Sequence, residues 1–225
     1  MNIRVIFTAV IFCTAFSITA GAIEGNPPEV TVDGLHLVKG AKMALVYAKP
    51  GVDLSRYNRI YLAEPQVAFT KNWLRTQNSI PNQTVTRQDM QRIKTELAAL
   101  FIDVFRQELQ NNGGYVLVDG IAEDVLIVQP AIFDLDVMSP DTPGTAGQRS
   151  AIASAGSMSL YMELIDSVTG DVLVKAFDNK YDRTRTRIQV QNRVRNEAAA
   201  RDMLGEWAES LRLALDEART AVSNR

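Results

Sequence analysis

Four carboxylates in the second half of the chain have the residue type and spacing to support chemistry. Asp134 and Asp136 are two residues apart in a run that predicts a strand, so both side chains should lie on one face. With Asp141 they could bind a calcium ion, and with Glu163 they could form the carboxylate pair of a glycosidase. A calcium loop has denser spacing and ends in a bidentate Glu, so the sequence favours a solvated strand end.

A second group of carboxylates surrounds the segment DSVTGD, residues 166–171, which joins two runs of alternating apolar and polar residues. The first run, SMSLYMELI, places its Met and Leu side chains on one face of a strand and Ser159, Tyr161 and Glu163 on the other. Asp166 can accept hydrogen bonds from backbone amides further along the turn, and Gly170 can adopt a positive φ. These features predict a hairpin turn that closes on a glycine bulge, rather than a catalytic cluster.

The composition gives little support for a nucleophilic hydrolase or for a zinc site. The chain has one histidine, His36, which lacks the serine partner of a hydrolase and the further ligands of a zinc site. Trp207 lies in an apolar helical stripe and is expected in the core, whereas Trp73, in a polar loop, is compatible with either packing or sugar stacking. We therefore predict no catalytic residue, no cofactor and no metal site.

A row of arginines near the end of the chain is the one candidate binding feature. In a continuing strand, the segment RTRTR would place three guanidinium groups on one face, those of Arg183, Arg185 and Arg187. Guanidinium pairs bidentately with phosphate, which makes the row a possible contact for an anionic partner. Charged residues on an exposed strand also prevent edge-to-edge pairing, and this alternative stays open.

The amino terminus predicts export. Residues 1–22 combine a short n-region carrying Arg4, an apolar h-region and the small residues Ala20-Gly21-Ala22 of a cleavage site. The only cysteine, Cys13, lies inside the apolar run, so a lipid anchor is not expected and the mature chain has no thiol. Removal of Arg4 changes the formal net charge from −2 to −3 (−2 − 1), which disfavours a nucleic-acid partner.

The remainder of the chain predicts one domain. A flexible leader is expected over residues 23–33 and a single domain over residues 34–225, with no further transmembrane span. Thr86 should cap a long helix that ends at Asn112-Gly113-Gly114, and a second apolar stripe runs from Ala200 to Ala218. Strands are expected over 42–48, 59–69, 115–118 and 125–137 and in the hairpin, with a loop over 72–85. This order favours an α+β fold, in which one mixed, largely antiparallel sheet carries two long helices on one face.

Several stretches resemble a known bacterial envelope family. They are DGLHLV, KPGVDLSRYNRIYL, FTKNW, LIDSVTGDVLVKAFD and GEWAESLRLALDE, within roughly residues 34 to 218, and together they resemble domain of unknown function 3313. Many members of that family resemble lipoproteins, and the resemblance implies an architecture similar to the amino-terminal domain of TolB. It implies no catalytic residue, because the family has no agreed activity.

Two function classes follow from these observations. The first is an exported, non-enzymatic protein, periplasmic or envelope-associated, that acts as a binding or accessory module for an envelope protein or an anionic envelope component. The alternative is a periplasmic hydrolase that acts on cell-wall glycan or peptide through carboxylates. The position of His36 and the turn interpretation of DSVTGD favour the first class.

Overall fold

Runs of strands are followed by helices along the chain, in the order expected of an α+β domain. The structure, a computed structural model, describes residues 26–81, 84–137, 150–152, 156–181, 189–191 and 193–223. The strands are β1 His36–Leu37, β2 Leu45–Ala48, β3 Arg59–Leu62, β4 Gln66–Phe69, β5 Val116–Leu117, β6 Val125–Val137, β7 Ser150–Ile152, β8 Gly156–Asp166, β9 Val172–Tyr181 and β10 Gln189–Gln191. The α-helices are α1 Trp73–Gln77, α2 Arg87–Gln107 and α3 Arg193–Ser223, and α2 continues into a π-helical turn, Glu108–Asn112.

The principal sheet is mixed and largely antiparallel, as predicted. Its order is β1-β2-β9-β8-β6-β3-β5, and β4 also pairs with β6. The pairs β1–β2, β2–β9, β9–β8 and β8–β6 are antiparallel. The pairs β3–β6, β4–β6 and β3–β5 are parallel, and they attach the first half of the chain to the hairpin region. A separate antiparallel pair joins β7 and β10.

The start and the end of α2 follow directly from local sequence. The Thr86 hydroxyl accepts a hydrogen bond from the Asp89 amide at 3.1 Å, and the Asp89 carboxylate accepts one from the Thr86 amide at 3.0 Å. This reciprocal capping box satisfies two backbone donors at the amino end of the helix. At the other end Gly114 has φ +66°, a left-handed conformation that ends the helix.

The core lies between one face of the sheet and the two long helices. Even-numbered residues are buried over residues 126–132 of β6 and 158–164 of β8, and Phe101 and Phe105 of α2 stack with ring centroids 3.9 Å apart. The largest fully buried side chains include Ile60, Leu126, Ile132, Leu160, Met162, Leu204 and Trp207. Both predicted apolar stripes therefore belong to one core.

The loop expected over residues 72–85 contains an unexpected short helix, α1. Asn72 takes a left-handed conformation, φ 63°, and the helix then begins at Trp73. Trp73 is 2% exposed, stacks on Phe69 at 4.1 Å and donates to the Val137 carbonyl oxygen at 3.3 Å. The helix is therefore stabilised by burial of one aromatic side chain, and the sugar-stacking alternative for Trp73 is wrong.

The amino-terminal predictions are only partly covered by the structure. The expected signal, residues 1–22, lies outside the described residues. Within the expected leader, Val30 bridges to His36, and the Asp33 carboxylate pairs with the Lys175 ammonium of β9. Among the described residues, no helix combines the length and the apolar character needed to cross a membrane.

Candidate functional site

The carboxylates of DSVTGD hold a hairpin turn together. Oδ1 of Asp166 accepts hydrogen bonds from the amides of Val168 and Thr169, both at 2.9 Å, and Oδ2 accepts one from the Tyr57 hydroxyl at 2.7 Å. Gly170 has φ +73°, as predicted for the end of the turn. These three donors within 3 Å of the Asp166 carboxylate are all structural groups of the turn and of Tyr57, and the catalytic interpretation has no support in the geometry.

Hydrogen bonding also explains the ionisation of this buried pair. The Thr169 amide, followed by the Tyr57 hydroxyl, lowers the pKa of Asp166 from 3.8 to about 2. Burial, assisted by the hydrogen bond to Asp166, raises the pKa of Tyr57 to about 12. Asp166 is therefore a permanent charge at neutral pH, which suits a fixed structural acceptor and not a proton donor.

Asp134 and Asp136, predicted to share a strand face, lie on either side of the buried Leu135 at a β-bulge in β6. Phe133 pairs with Ser159 and Asp136 pairs with Ser157, so β6 contains one extra residue, and Asp134 takes φ 49°. This β-bulge resets the alternation, so that Leu135 faces the core and Asp134 is exposed. Without the bulge, Asp134 would follow the buried even-numbered positions of β6 into the core.

The glycosidase pair with Glu163 is wrong, because the carboxylates are too far apart. Asp136 pairs with Ser157, whereas Glu163 lies six residues further along β8. At about 3.3 Å per residue the two positions are about 20 Å apart, far beyond the roughly 5–9.5 Å between the carboxyl groups of a glycosidase. Within the described part of the chain, no cluster of three or more His, Cys, Asp or Glu residues could hold a metal ion. Asp141 lies outside the described residues.

The remaining residues considered in the sequence analysis do not lie together in one site. His36 is exposed on β1, at one end of the strand order. Trp207 is fully buried, and its indole donates to the Asp178 carboxylate at 2.7 Å, as suits a core residue. The predicted anionic-partner residues, Arg183, Arg185 and Arg187, lie outside the described residues, and their role stays a prediction.

A groove that sequence reasoning missed lies where α2, α3 and the sheet meet. Its volume is about 420 Å³, and it is lined by the middle of α2, the start of α3, the end of β6 and the start of β8. The surface of the groove is apolar, with contributions from Ile93, Leu97, Leu100, Leu135, Val137, Met158, Ala200 and Met203. The volume falls within the roughly 300–1,000 Å³ of ligand pockets.

The rim of this groove carries charges of both signs in defined pairs. Arg201 contacts Asp103 at 3.1 Å and Glu197 at 3.9 Å, which connects α3 to α2. Arg92 contacts Asp89 at 3.5 Å and Glu96 at 3.3 Å along α2. The Asp89 pKa is lowered, first by the Thr86 hydroxyl and to a smaller extent by Arg92. Asp103, Glu197 and Glu96 thus contact arginines, an arrangement that fixes charges around an apolar surface.

One sequence signal pointed toward the groove. The apolar stripe of α2 begins at Met90, well before the segment that contacts α3. Ala99 is exposed, and Ile93 and Leu100 are only half-buried, although Leu97 beside them is buried. The incomplete burial of this stripe depends on where α3 begins in space, which a helical period alone does not indicate.

The structure thus combines an α+β sheet-and-helix fold with an apolar groove, and no enzyme family is indicated. The chain belongs to the family described as Protein of unknown function (DUF3313), whose model matches residues 34–211. This confirms the predicted family resemblance, whereas the expected similarity to the TolB amino-terminal domain stays a prediction.

Comparisons with individual proteins find only distant similarity. No curated protein matches the chain. Among solved structures, the PelC dodecamer from Paraburkholderia phytofirmans is 12% identical, with a TM-score of 0.38 over 74% of this chain and 96% of that one. A Xanthomonas campestris protein of family DUF330 is 12% identical, with a TM-score of 0.42 over 75% and 89%. A putative neuraminyllactose-binding hemagglutinin homolog from Helicobacter pylori is 12% identical, with a TM-score of 0.32 over 72% and 87%.

Proposed function

We propose that this protein is an exported, non-enzymatic component of the cell envelope that binds an envelope partner through the groove between α2, α3 and the sheet. The observation that carries the proposal is the apolar groove of about 420 Å³ with a charged rim. Apolar grooves of this volume with polar groups at their edges are typical of binding sites.

The charges at the rim favour binding over hydrolysis. A carboxylate-based hydrolase needs two acids that face each other across a cavity, one of them with a raised pKa. Here the carboxylates of Glu96, Asp103 and Glu197 instead contact the guanidinium groups of Arg92 and Arg201. The groove is therefore suited to orienting a partner by charge while its floor buries apolar groups.

Site-specific crosslinking in the intact envelope tests the groove. A photoreactive phenylalanine analogue would replace Ala99, which is exposed on the groove side of α2. The control position is Ile121, which is 69% exposed and does not line the groove. We expect a discrete adduct from position 99 and none from position 121. Identical adduct patterns at both positions, or no adduct at position 99, would contradict the proposal.

Export and the hydrolase alternative are tested separately. Amino-terminal sequencing of the mature protein should begin at Ile23, and a chain that begins at Met1 or at a lipid-modified Cys13 would contradict export as stated. Incubation of the purified protein with isolated cell wall should release no soluble fragments. Release that disappears in Glu96→Gln would instead favour the hydrolase.

A further inference from the structure

We infer that the partner bound by the groove is a basic amphipathic segment of another protein, with apolar side chains on one face and Lys or Arg at its edges. The inference rests on the proposed function, because it names the chemistry of the partner for the same groove. Three observations support it: an adaptable apolar floor, an excess of acid around the rim, and arginines that carboxylates already engage.

The floor of the groove is suited to apolar side chains of variable shape. Met158 and Met203 contribute to it from the sheet and from α3, and Leu97 and Leu135 complete its buried part. Methionine is unbranched and polarisable, so it adjusts to irregular partners better than a β-branched residue does. A helix that inserts apolar residues at spacings of three and four would therefore find a surface that can adapt to it.

The rim selects a partner of positive charge. Among the described residues, four carboxylates and two guanidinium groups line the groove, those of Glu96, Asp103, Asp136, Glu197, Arg92 and Arg201. The formal balance is −2 (−4 + 2), and the acids come from α2, from α3 and from the sheet, so the excess surrounds the floor. A cationic segment would meet negative charge at each of these edges, whereas an acidic one would be repelled.

The two arginines do not offer a free site for an anion. The Arg201 guanidinium already contacts Asp103 at 3.1 Å and Glu197 at 3.9 Å, and Arg92 contacts Asp89 and Glu96. A lipid phosphate would have to displace these carboxylates and then remain among them. A peptide ammonium can instead share Asp103 or Glu197 at the exposed rim, where both side chains are about half exposed.

Model peptides provide the direct test with the intact mature protein. The probes are three fluorescein-labelled peptides about four helical turns long, with identical leucine faces and polar faces of lysine, glutamine or glutamate. Fluorescence anisotropy measures their affinity at about 20 mM and about 200 mM salt. We expect the lysine peptide to bind most tightly, to weaken with salt, and to lose roughly threefold to tenfold in affinity in the double variant Glu96→Gln, Glu197→Gln, which makes the rim formally neutral.

A variant with an obstructed groove distinguishes binding in the groove from nonspecific binding elsewhere on the surface. Ala99→Trp places a bulky side chain at the mouth of the groove and should weaken the lysine peptide at least about tenfold, a loss typical of an obstructed pocket. The matched control, Ala214→Trp, replaces another exposed helical alanine that does not line the groove and should bind as the wild type does. Circular dichroism confirms that both variants fold.

The remaining outcomes overturn the inference. Equal binding of the three peptides would remove the charge argument, and equal binding by both tryptophan variants would remove the groove. Absence of peptide binding would exclude a basic protein segment as the partner. Binding to phosphatidylglycerol vesicles that is lost only in Ala99→Trp would exclude it as well, because the groove would then bind lipid. An envelope crosslink from position 99 would in that case still support the proposed function, so the two failures are distinguishable.

Discussion

Replacement of Asp166 by asparagine tests whether DSVTGD is a charge-stabilised turn. The variant retains an oxygen that can accept from the amides of Val168 and Thr169, but it loses the negative charge and an acceptor for the Tyr57 hydroxyl. The carboxylate is only 7% exposed, so little solvent screens it. The stability change in this variant therefore reports mainly the ionised state of one buried group.

The magnitude follows from linkage between ionisation and folding. The pKa of Asp166 is about 2 in the folded protein against an ordinary value of 3.8. Because the folded value is depressed, the contribution is fully present above about pH 4 and is lost as the pH falls toward 2. It amounts to about 2 kcal/mol at pH 7, roughly 1.3 kcal/mol at pH 3 and less than about 0.5 kcal/mol at pH 2.

Urea unfolding of the wild type and the variant at pH 7 and pH 3 measures the difference. Asp166→Asn should lower the free energy of unfolding by about 2 kcal/mol at pH 7, and the gap should narrow in acid. The matched control is Asp171→Asn in the same turn, where the carboxylate is 54% exposed and pairs with Lys49. This control should change stability by less than about 0.5 kcal/mol. A gap for Asp166→Asn that does not vary with pH, or an equal loss in the control, would refute the reasoning.

Three further predictions concern the core, the turn and the arginine row. Leu211→Ala should lower the free energy of unfolding by about 2–5 kcal/mol in urea titrations, because Leu211 is 3% exposed in the core; a loss below about 0.5 kcal/mol would contradict that placement. Gly170→Val should destabilise the protein more than Ser167→Ala in the same assay, since φ +73° strains a β-branched residue. Ser167→Ala should also have a cost, because the Ser167 hydroxyl exchanges hydrogen bonds with the backbone of Ala122 at 2.7 and 3.2 Å. Equal effects of the two changes would count against the turn argument. Replacement of Arg183, Arg185 and Arg187 together by glutamine should leave thermal stability unchanged but reduce the fraction of protein that sediments with anionic vesicles. The difference from the wild type should grow as the salt concentration falls, and absence of wild-type binding at low salt would contradict this hypothesis.

Features set by neighbouring residues were predictable from the sequence. The capping box at Thr86 and the glycine stop of α2 depend on contacts only a few residues long, and both are confirmed. The hairpin is confirmed for the same reason, because alternation over β8 and the turn residues of DSVTGD act within one short segment. The short helix α1 was missed, since its polar sequence is held in place by packing of Trp73 on Phe69 from another element.

The candidate site depends on contacts between residues that are far apart in the sequence, which no local pattern predicts. The β-bulge in β6 shifts its register against β8, so that Leu135 packs into the core and Asp134, which strict alternation from Leu126 to Ile132 would bury, is exposed. Likewise the groove is formed by residues of α2, α3, β6 and β8, and Arg201 meets Asp103 from 98 residues away along the chain.

The sequence by itself determined the capping of α2, the β8–β9 hairpin and the apolar stripes of the two long helices, because capping, alternation and turn chemistry act over a few residues. The family resemblance likewise came from the sequence alone. Only the tertiary structure decided which apolar surface stays open and which charges surround it. Burial and ion pairing are properties of residues brought together from distant parts of the chain, and the spacing of residues along a sequence does not contain them.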